Sequence, residues 1–372
     1  MSARSTEETL ACLRLLRAKG LGNAAAVKLL RHFGSAAAAI AAPGSRWAAA
    51  GVPGKKPEIP EQSDPRIAAD MAWLAEPQAQ LLTINDAAYP ASLLEAGNPP
   101  LILFLRGNAQ LLAQPQLAIV GARTATPQGL ENARSFAAEL ARRGVLITSG
   151  LALGVDGAAH QGALDGGGPT IAVCATGLDR VYPARHKALA HRIVEAGGSL
   201  VSEFAPGTEA VAAHFPRRNR IIAGLTLGTL VVEASIDSGS LITARLAADM
   251  GREVFAIPGS IHNPVARGCH KLIRDGAKLV ESVDDILLEL APRLSSWLRE
   301  TGTTPTAEAP AADLDDSAAR LLAALGNAPL SIDSLVARTG LPAEVVNASL
   351  LTLELSGLAA AHQGGYQRLS RC

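Results

Sequence analysis

A short run just past the middle of the chain, His214-Phe215-Pro216-Arg217-Arg218-Asn219-Arg220, sets three guanidinium groups within four positions beside an aromatic ring. Rings and guanidinium groups held side by side stack nucleobases and neutralise phosphates. Apolar residues follow at once, Ile221-Ile222-Ala223-Gly224, as if a buried helix came next. A charge run of this size can equally be a solvated loop, so its chemistry depends on what the fold sets beside it.

The elements around this run alternate with some regularity. Short apolar runs rich in β-branched residues occur at Leu117–Gly121, Val145–Ser149, Thr170–Ala175, Ser199–Ser202, Thr229–Glu233 and Glu253–Ile257. Helical spacing fills Leu130–Arg143, Val155–Leu164, His186–Ala196 and Leu241–Met250 between them. Continuous apolar strands are buried on both faces, and strand–helix repetition with such strands predicts a doubly wound, mainly parallel, Rossmann-like α/β sheet. Ligands of such sheets bind beyond the carboxyl ends of the strands. Small residues cluster there: Gly121-Ala122-Arg123, Ser149-Gly150-Leu151-Ala152-Leu153-Gly154, Ala175-Thr176-Gly177 and Ser238-Gly239-Ser240. Glycine lets backbone approach a ligand, and helix N-termini favour anions, so a phosphate or phosphodiester site is expected. Any α/β protein also needs small residues at these turns.

Several chemistries are excluded. A dinucleotide site wants G-x-G-x-x-G after the first strand and an acidic residue at the end of the second. Arg123 stands where the second glycine belongs, and the second strand ends Thr148-Ser149-Gly150. Gly54-Lys55-Lys56 lacks the earlier glycine and the Ser/Thr of a P-loop, and no G-x-S-x-G elbow occurs. Carboxylates at Asp156, Asp179, Glu233 and Asp237 could in principle cleave a nucleotide's glycosidic bond. The preferred reading gives Asp156 to a helix dipole and Glu233 to turn amides or Arg220.

Bulk properties agree with a local site. Lys plus Arg (34) balance Asp plus Glu (34) in 372 residues, so no global field draws the protein to polyanions. Cys12, Cys174, Cys269 and Cys372 form no C-x-x-C pair, which speaks against a disulfide framework or zinc site and suits a reducing cytosol. Met1–Thr9 lacks a signal-peptide core, and no apolar stretch is long enough to span a membrane. A cytoplasmic protein with no membrane contact and no metal is expected.

Composition divides the chain into a small helical unit and loop (1–65), a Rossmann-like domain (66–298), a linker (299–315) and a C-terminal unit (316–372). Leu10–Ile40 holds two helical patterns around Gly20-Leu21-Gly22-Asn23, a hairpin that can meet DNA backbone or belong to a structural or partner-binding unit. The C-terminal unit has a winged-helix pattern with Gly364-Gly365 at the tip of the wing. Its third helix, from Ala343, carries Glu344 and Glu354 and no Lys or Arg, so protein contact is a better expectation than duplex reading.

The ordered motifs resemble the DNA-processing protein A family, also called DprA or Smf. They include Gly121-Ala122-Arg123, Ser149-Gly150-Leu151-Ala152-Leu153-Gly154-Val155-Asp156-Gly157, Tyr182-Pro183, Ser202-Glu203-Phe204, Phe215-Pro216-x-Arg218-Asn219-Arg220-Ile221-Ile222-Ala223-Gly224, Val231-Val232-Glu233-Ala234, Ser238-Gly239-Ser240 and Phe255-Ala256-Ile257-Pro258-Gly259. The resemblance spans nearly the whole middle domain. It implies a homodimer, formed through that domain, that binds and protects single-stranded DNA during natural transformation and loads the RecA recombinase. It implies no enzyme and no cofactor; the alternative is a nucleotide-hydrolysing Rossmann-like enzyme. Carried over by motif, Arg123, Phe215, Arg218, Asn219 and Arg220 are the expected DNA contacts. Gly121 belongs to the same motif, Ser149, Gly150 and Gly154 would supply donors to phosphate, and Lys187 and Lys271 are additional phosphate contacts. His186 and His270 stand where many members carry Asn. The domain is neutral overall, with 17 basic and 17 acidic residues between Ala113 and Leu290. Binding must then rest on a focused pocket with a moderate salt dependence.

Overall fold

The computed structural model describes residues 5–300, 316–325, 330–355, 359–362 and 365–368. The N-terminal helices are α1 (Thr6–Arg17), α2 (Asn23–Phe33), α3 (Ala36–Ala41), α4 (Gly44–Ala49) and α5 (Pro65–Leu74). Glu8 accepts from the Ala37 N–H at 3.1 Å and from the Ala36 N–H, so one carboxylate of α1 caps the start of α3. Two antiparallel strands, β1 (Ala79–Thr83) and β2 (Ile102–Gly107), flank α6 (Ala91–Glu95).

The alternating part then runs β3 (Gln116–Val120), α7 (Pro127–Arg142), β4 (Leu146–Ser149), α8 (Val155–Asp165), β5 (Thr170–Val173), α9 (Lys187–Glu195), β6 (Ser199–Ser202) and α10 (His214–Leu225). It continues through β7 (Gly228–Val231), α11 (Gly239–Asp249), β8 (Glu253–Ala256), α12 (Arg267–Arg274), β9 (Lys278–Leu279) and α13 (Val283–Glu300). The sheet has nine strands in the order β1-β2-β6-β5-β4-β3-β7-β8-β9. Strands β6 to β9 in that order are parallel, while β2 runs antiparallel to both β1 and β6. The doubly wound, mainly parallel sheet is therefore present, with an antiparallel extension that the apolar runs did not reveal.

Alternation along β3 separates two cores. Leu117 and Ile119 pack with Ala133 and Ala137 of α7 and Ala159 of α8. Ala118 and Val120 belong to the opposite layer, with Ile221 and Ile222 of α10 and Ala244 of α11. At about 25 cal/mol per Å2, burial of these apolar faces is the main force holding the three layers together.

Residues 1–300 form one compact unit and residues 301–372 another. The N-terminal helices are docked on the sheet domain. Arg17 donates to Asp70 of α5 from Nε (2.9 Å) and from Nη2 (2.5 Å), and its Nη2 also reaches the Pro206 carbonyl at 3.0 Å. Asn23, at the hairpin, donates to the Pro99 carbonyl at 2.8 Å and accepts from the Leu101 N–H at 2.8 Å. Its side chain thus fastens the two parts together. The C-terminal unit contains α14 (Asp316–Ala324), α15 (Ile332–Thr339), α16 (Ala343–Leu355) and the antiparallel pair β10 (Ala359–His362) and β11 (Gly365–Arg368). Leu321, Leu335, Val346 and Leu350 form its core. This is a winged-helix arrangement; residues 301–315 of the expected linker and Gly364 of the wing tip lie outside the described residues. Among the described residues no helix is long and apolar enough to cross a membrane.

Candidate nucleic-acid interface

Strand order reverses at β3, which pairs with β4 on one side and β7 on the other. Connections leave these two strands in opposite directions, opening a crevice beyond their carboxyl ends. A cavity of about 420 Å3 lies there, walled by Gly121 and Arg123 after β3, by α10, and by the start of α11.

The basic run lies within α10, so a helical period sorts its side chains. Phe215, Arg218, Asn219 and Ile222, spaced i, i+3, i+4, i+7, line the crevice. Arg217 and Arg220 turn to another face and both donate to Glu203 Oε2, at 2.9 and 2.6 Å. Arg220 also donates to the Asn98 carbonyl. The sequence placed Arg220 among the DNA contacts; the structure instead gives it to a buried carboxylate, because three guanidinium groups cannot share one side of a helix.

Arg218 is only 4 % exposed. Its Nη1 donates to the Val173 carbonyl at 2.5 Å, and its Nε is buried without a partner. Among the described residues no carboxylate comes within ion-pair distance of it. Burial lowers its pKa, and the nearby Asp156 charge opposes that shift. Arginine keeps its proton even so, leaving a desolvated cation poised at a cavity. Gly150 makes room for it: a Cβ there would stand 2.5 Å from the guanidinium Cζ. Asp156 is buried beneath the same spot, and its Oδ2 accepts from the N–H groups of Gly150 (3.1 Å) and Ala152 (3.3 Å). Desolvation raises the Asp156 pKa, opposed first by Arg218.

Above Arg218 the site becomes aromatic. Arg123 lies over the Phe215 ring with Cζ 5.0 Å from the centroid, and Tyr182 packs against the other part of Phe215 at 5.7 Å between centroids. Tyr182 is 50 % exposed, so this tier presents free ring surface. The opposite wall is the N-terminus of α11, with Ser238, Gly239, Ser240 and Thr243 and no acidic residue in its first turn. That terminus favours negative charge. Asn219 holds it in place, donating to the Gly239 carbonyl at 3.4 Å. A buried cation, an exposed cation, a helix N-terminus and an aromatic ring around one cavity, with a second ring tilted against the first, suit a phosphate with an attached base.

Other expected residues have different places. Ser149 is fully buried and donates to the Ile119 carbonyl at 2.6 Å, and the Gly150 N–H goes to Asp156, so neither offers a donor to the cavity. Gly154 has φ +79°, and a Cβ on it would press to 2.6 Å from the Arg123 carbonyl oxygen, so its role is close packing of two loops. Lys187 is exposed at the start of α9, outside the cavity lining. Lys271 lines a neighbouring cavity of about 470 Å3 that shares Ser238 and Ile242 with the crevice. His186 donates from Nδ1 to the Leu151 carbonyl at 2.8 Å, a contact an Asn amide can also make. His270 faces the Gly259 carbonyl at 3.0 Å in the same manner. Tyr182 went unassigned from sequence, and Ser238-Gly239-Ser240 figured there only as one of the small-residue turns of an expected phosphate site.

Glu233 accepts from the Thr126 N–H (2.8 Å) and hydroxyl (2.6 Å), while Thr126 caps α7 through the Gly129 N–H at 3.0 Å. Both carboxylate oxygens thus anchor a helix start. Glu233→Ala is expected to cost about 1–3 kcal/mol of stability, read as a lower denaturation midpoint, because it strands a part-buried amide and hydroxyl. Among the described residues no cluster of His, Cys, Asp or Glu could hold a metal ion.

Fold and site together define a Rossmann-like protein with a crevice at the switch point, lined by arginines, an aromatic ring and a helix N-terminus. The family model described as DNA recombination-mediator protein A matches residues 80–291. Models of the DprA-like N-terminal HHH domain and the DprA winged helix domain match residues 6–64 and 305–365. Protein Smf of Escherichia coli is 44 % identical over 305 residues, covering 82 % of this chain and 81 % of its own. DNA processing protein DprA of Streptococcus pneumoniae is 47 % identical over 207 residues, covering 56 % of this chain and 73 % of its own. The crystal structure of DNA processing protein A from Streptococcus pneumoniae matches with a TM-score of 0.63 at 36 % identity, over 77 % of this chain and 98 % of that one. DNA processing protein A from Helicobacter pylori, described by its single-stranded DNA binding mode, matches with a TM-score of 0.51 at 29 % identity, over 57 % of this chain and 97 % of that one. The chain belongs to the DNA recombination-mediator protein A family.

Proposed function

We propose that the switch-point crevice binds the phosphodiester chain of single-stranded DNA, with one phosphate against Arg218 and the α11 N-terminus and a base on the Phe215–Tyr182 tier. The observation that carries this reading is the buried Arg218 guanidinium, which lacks a carboxylate partner among the described residues and faces a cavity of about 420 Å3. An arriving phosphate relieves the desolvation that burial imposes. A cavity of this size is that of a small-molecule site, and it admits an unpaired nucleotide rather than a duplex. The Helicobacter pylori relative described by its single-stranded DNA binding mode supports the assignment.

In this reading the protein is a cytoplasmic, non-enzymatic homodimer that protects incoming strands during natural transformation and passes them to the RecA recombinase. Use of both Glu233 oxygens in capping α7 favours this over nucleotide hydrolysis. The winged-helix unit, acidic in its third helix, suits contacts with protein.

Fluorescence anisotropy of a labelled oligothymidylate tests the reading, with a duplex of equal length as comparison. Single-strand binding should exceed duplex binding, and Phe215→Ala should lower it by about 1–3 kcal/mol, the worth of one stacked base. Equal affinity for duplex, or no effect at Phe215, would count against it. RecA filament assembly on strands coated with single-strand binding protein should accelerate only with variants that retain binding.

A further inference from the structure

We propose that the groove between α7 and α8 is a second contact site for the same strand, taking the phosphodiesters that leave the switch-point crevice over Arg123. The inference rests on the crevice reading and extends it. The groove encloses about 540 Å3 and shares Arg123 with the crevice, so the two cavities are neighbours across one side chain. Arg134 of α7 stands farther along one wall, and His186 closes another.

Part of the floor is bare backbone. Gly154 and Gly157 line it, and a Cβ on Gly157 would come 2.6 Å from the His186 ring. The missing side chain lets the His186 ring pack directly on the start of α8, where it forms the end wall of the groove. Arg123 and Arg134 face one lining carboxylate, Glu131, and Asp165 behind the wall is shared between Arg134 Nε at 2.7 Å and Gln161 Nε2 at 2.6 Å. The Arg134–Asp165 pair is half exposed, at 52 % and 32 % of side-chain area, so exchanging it for a phosphate costs little.

The test is a ladder of oligothymidylates of graded length, titrated against full-length wild type, Arg134→Glu, Arg134→Lys and Arg218→Gln at several salt concentrations. Arg134→Glu should weaken the longest oligonucleotide by roughly threefold to fivefold, the scale of an exposed charge contact. The salt slope should fall by about 0.7, the value for one phosphate on a single strand. That loss should shrink as the oligonucleotide shortens, and Arg134→Lys should restore both affinity and slope. A loss independent of length, or no loss at any length, overturns the groove site. Failure of the crevice reading has a separate signature, since Arg218→Gln would then bind every length as the wild type does.

Discussion

Arg218→Gln is expected to weaken single-strand binding by at least roughly thirtyfold, corresponding to about 2–5 kcal/mol for a buried charge contact. The side chain reaches the cavity from inside the fold, and glutamine removes the charge while keeping a polar side chain of similar course. The same change should leave thermal stability nearly intact. Wild type already bears the cost of a desolvated cation with an unpartnered Nε, and removing it offsets the loss of attraction to Asp156. Asp156, deprived of that attraction, should take up a proton more readily, because burial alone already raises its pKa. A carboxyl whose pKa is raised on folding binds more protons in the folded state, so stability declines as pH rises from its unfolded value of 3.8 through the folded one. The variant should therefore be most stable relative to wild type at the acidic end of that window. Titrations of affinity and denaturation midpoints across pH check both parts.

Gly150→Ala is expected to weaken binding nearly as much, without replacing any residue that meets DNA directly. The new methyl would overlap the Arg218 guanidinium, 2.5 Å from Cζ, and drive it out of its seat between Gly150 and the Val173 carbonyl. Overpacking of this kind costs about 1–3 kcal/mol of stability, so the protein should still fold. The diagnostic is the contrast with Gly207→Ala. Gly207 has φ +84° with open space around its Cβ position, so alanine there strains the backbone and leaves Arg218 undisturbed. If both glycine variants lose binding equally, general destabilisation explains the effect and the seat of Arg218 does not.

The sheet was legible because its core strands are uniformly apolar and regularly spaced. All six of those runs appear, each ending within a residue or two of its apolar stretch. Strands β1 and β2 were harder to see, since they follow one another in an antiparallel pair with no crossover helix of usual length. Strand β9 has two residues and carries almost no pattern. In the site, Arg123, Phe215, Arg218 and Asn219 come together as their motifs implied. Arg220 does not, and the reason was present in the sequence: Arg217 and Arg220 are three apart and share a helix face, while Arg218 shares one with Phe215 and Ile222. Reading the run as a loop concealed that period. Ser149 and Gly150 illustrate a different limit. A turn rich in small residues looks alike whether its amides await a ligand or are already held, and the hold of Asp156 on the Gly150 amide is visible only in three dimensions.

A single strand lying across the crevice would set a base on the Phe215–Tyr182 tier. Ultraviolet cross-linking of an oligothymidylate to the full-length protein, followed by peptide mapping, tests it most directly. Adducts confined to the peptides bearing Tyr182 and Phe215, and lost in Arg218→Gln, are the predicted result. Adducts on the Gly20-Leu21-Gly22 hairpin or the winged-helix unit, with none in the crevice, would contradict it.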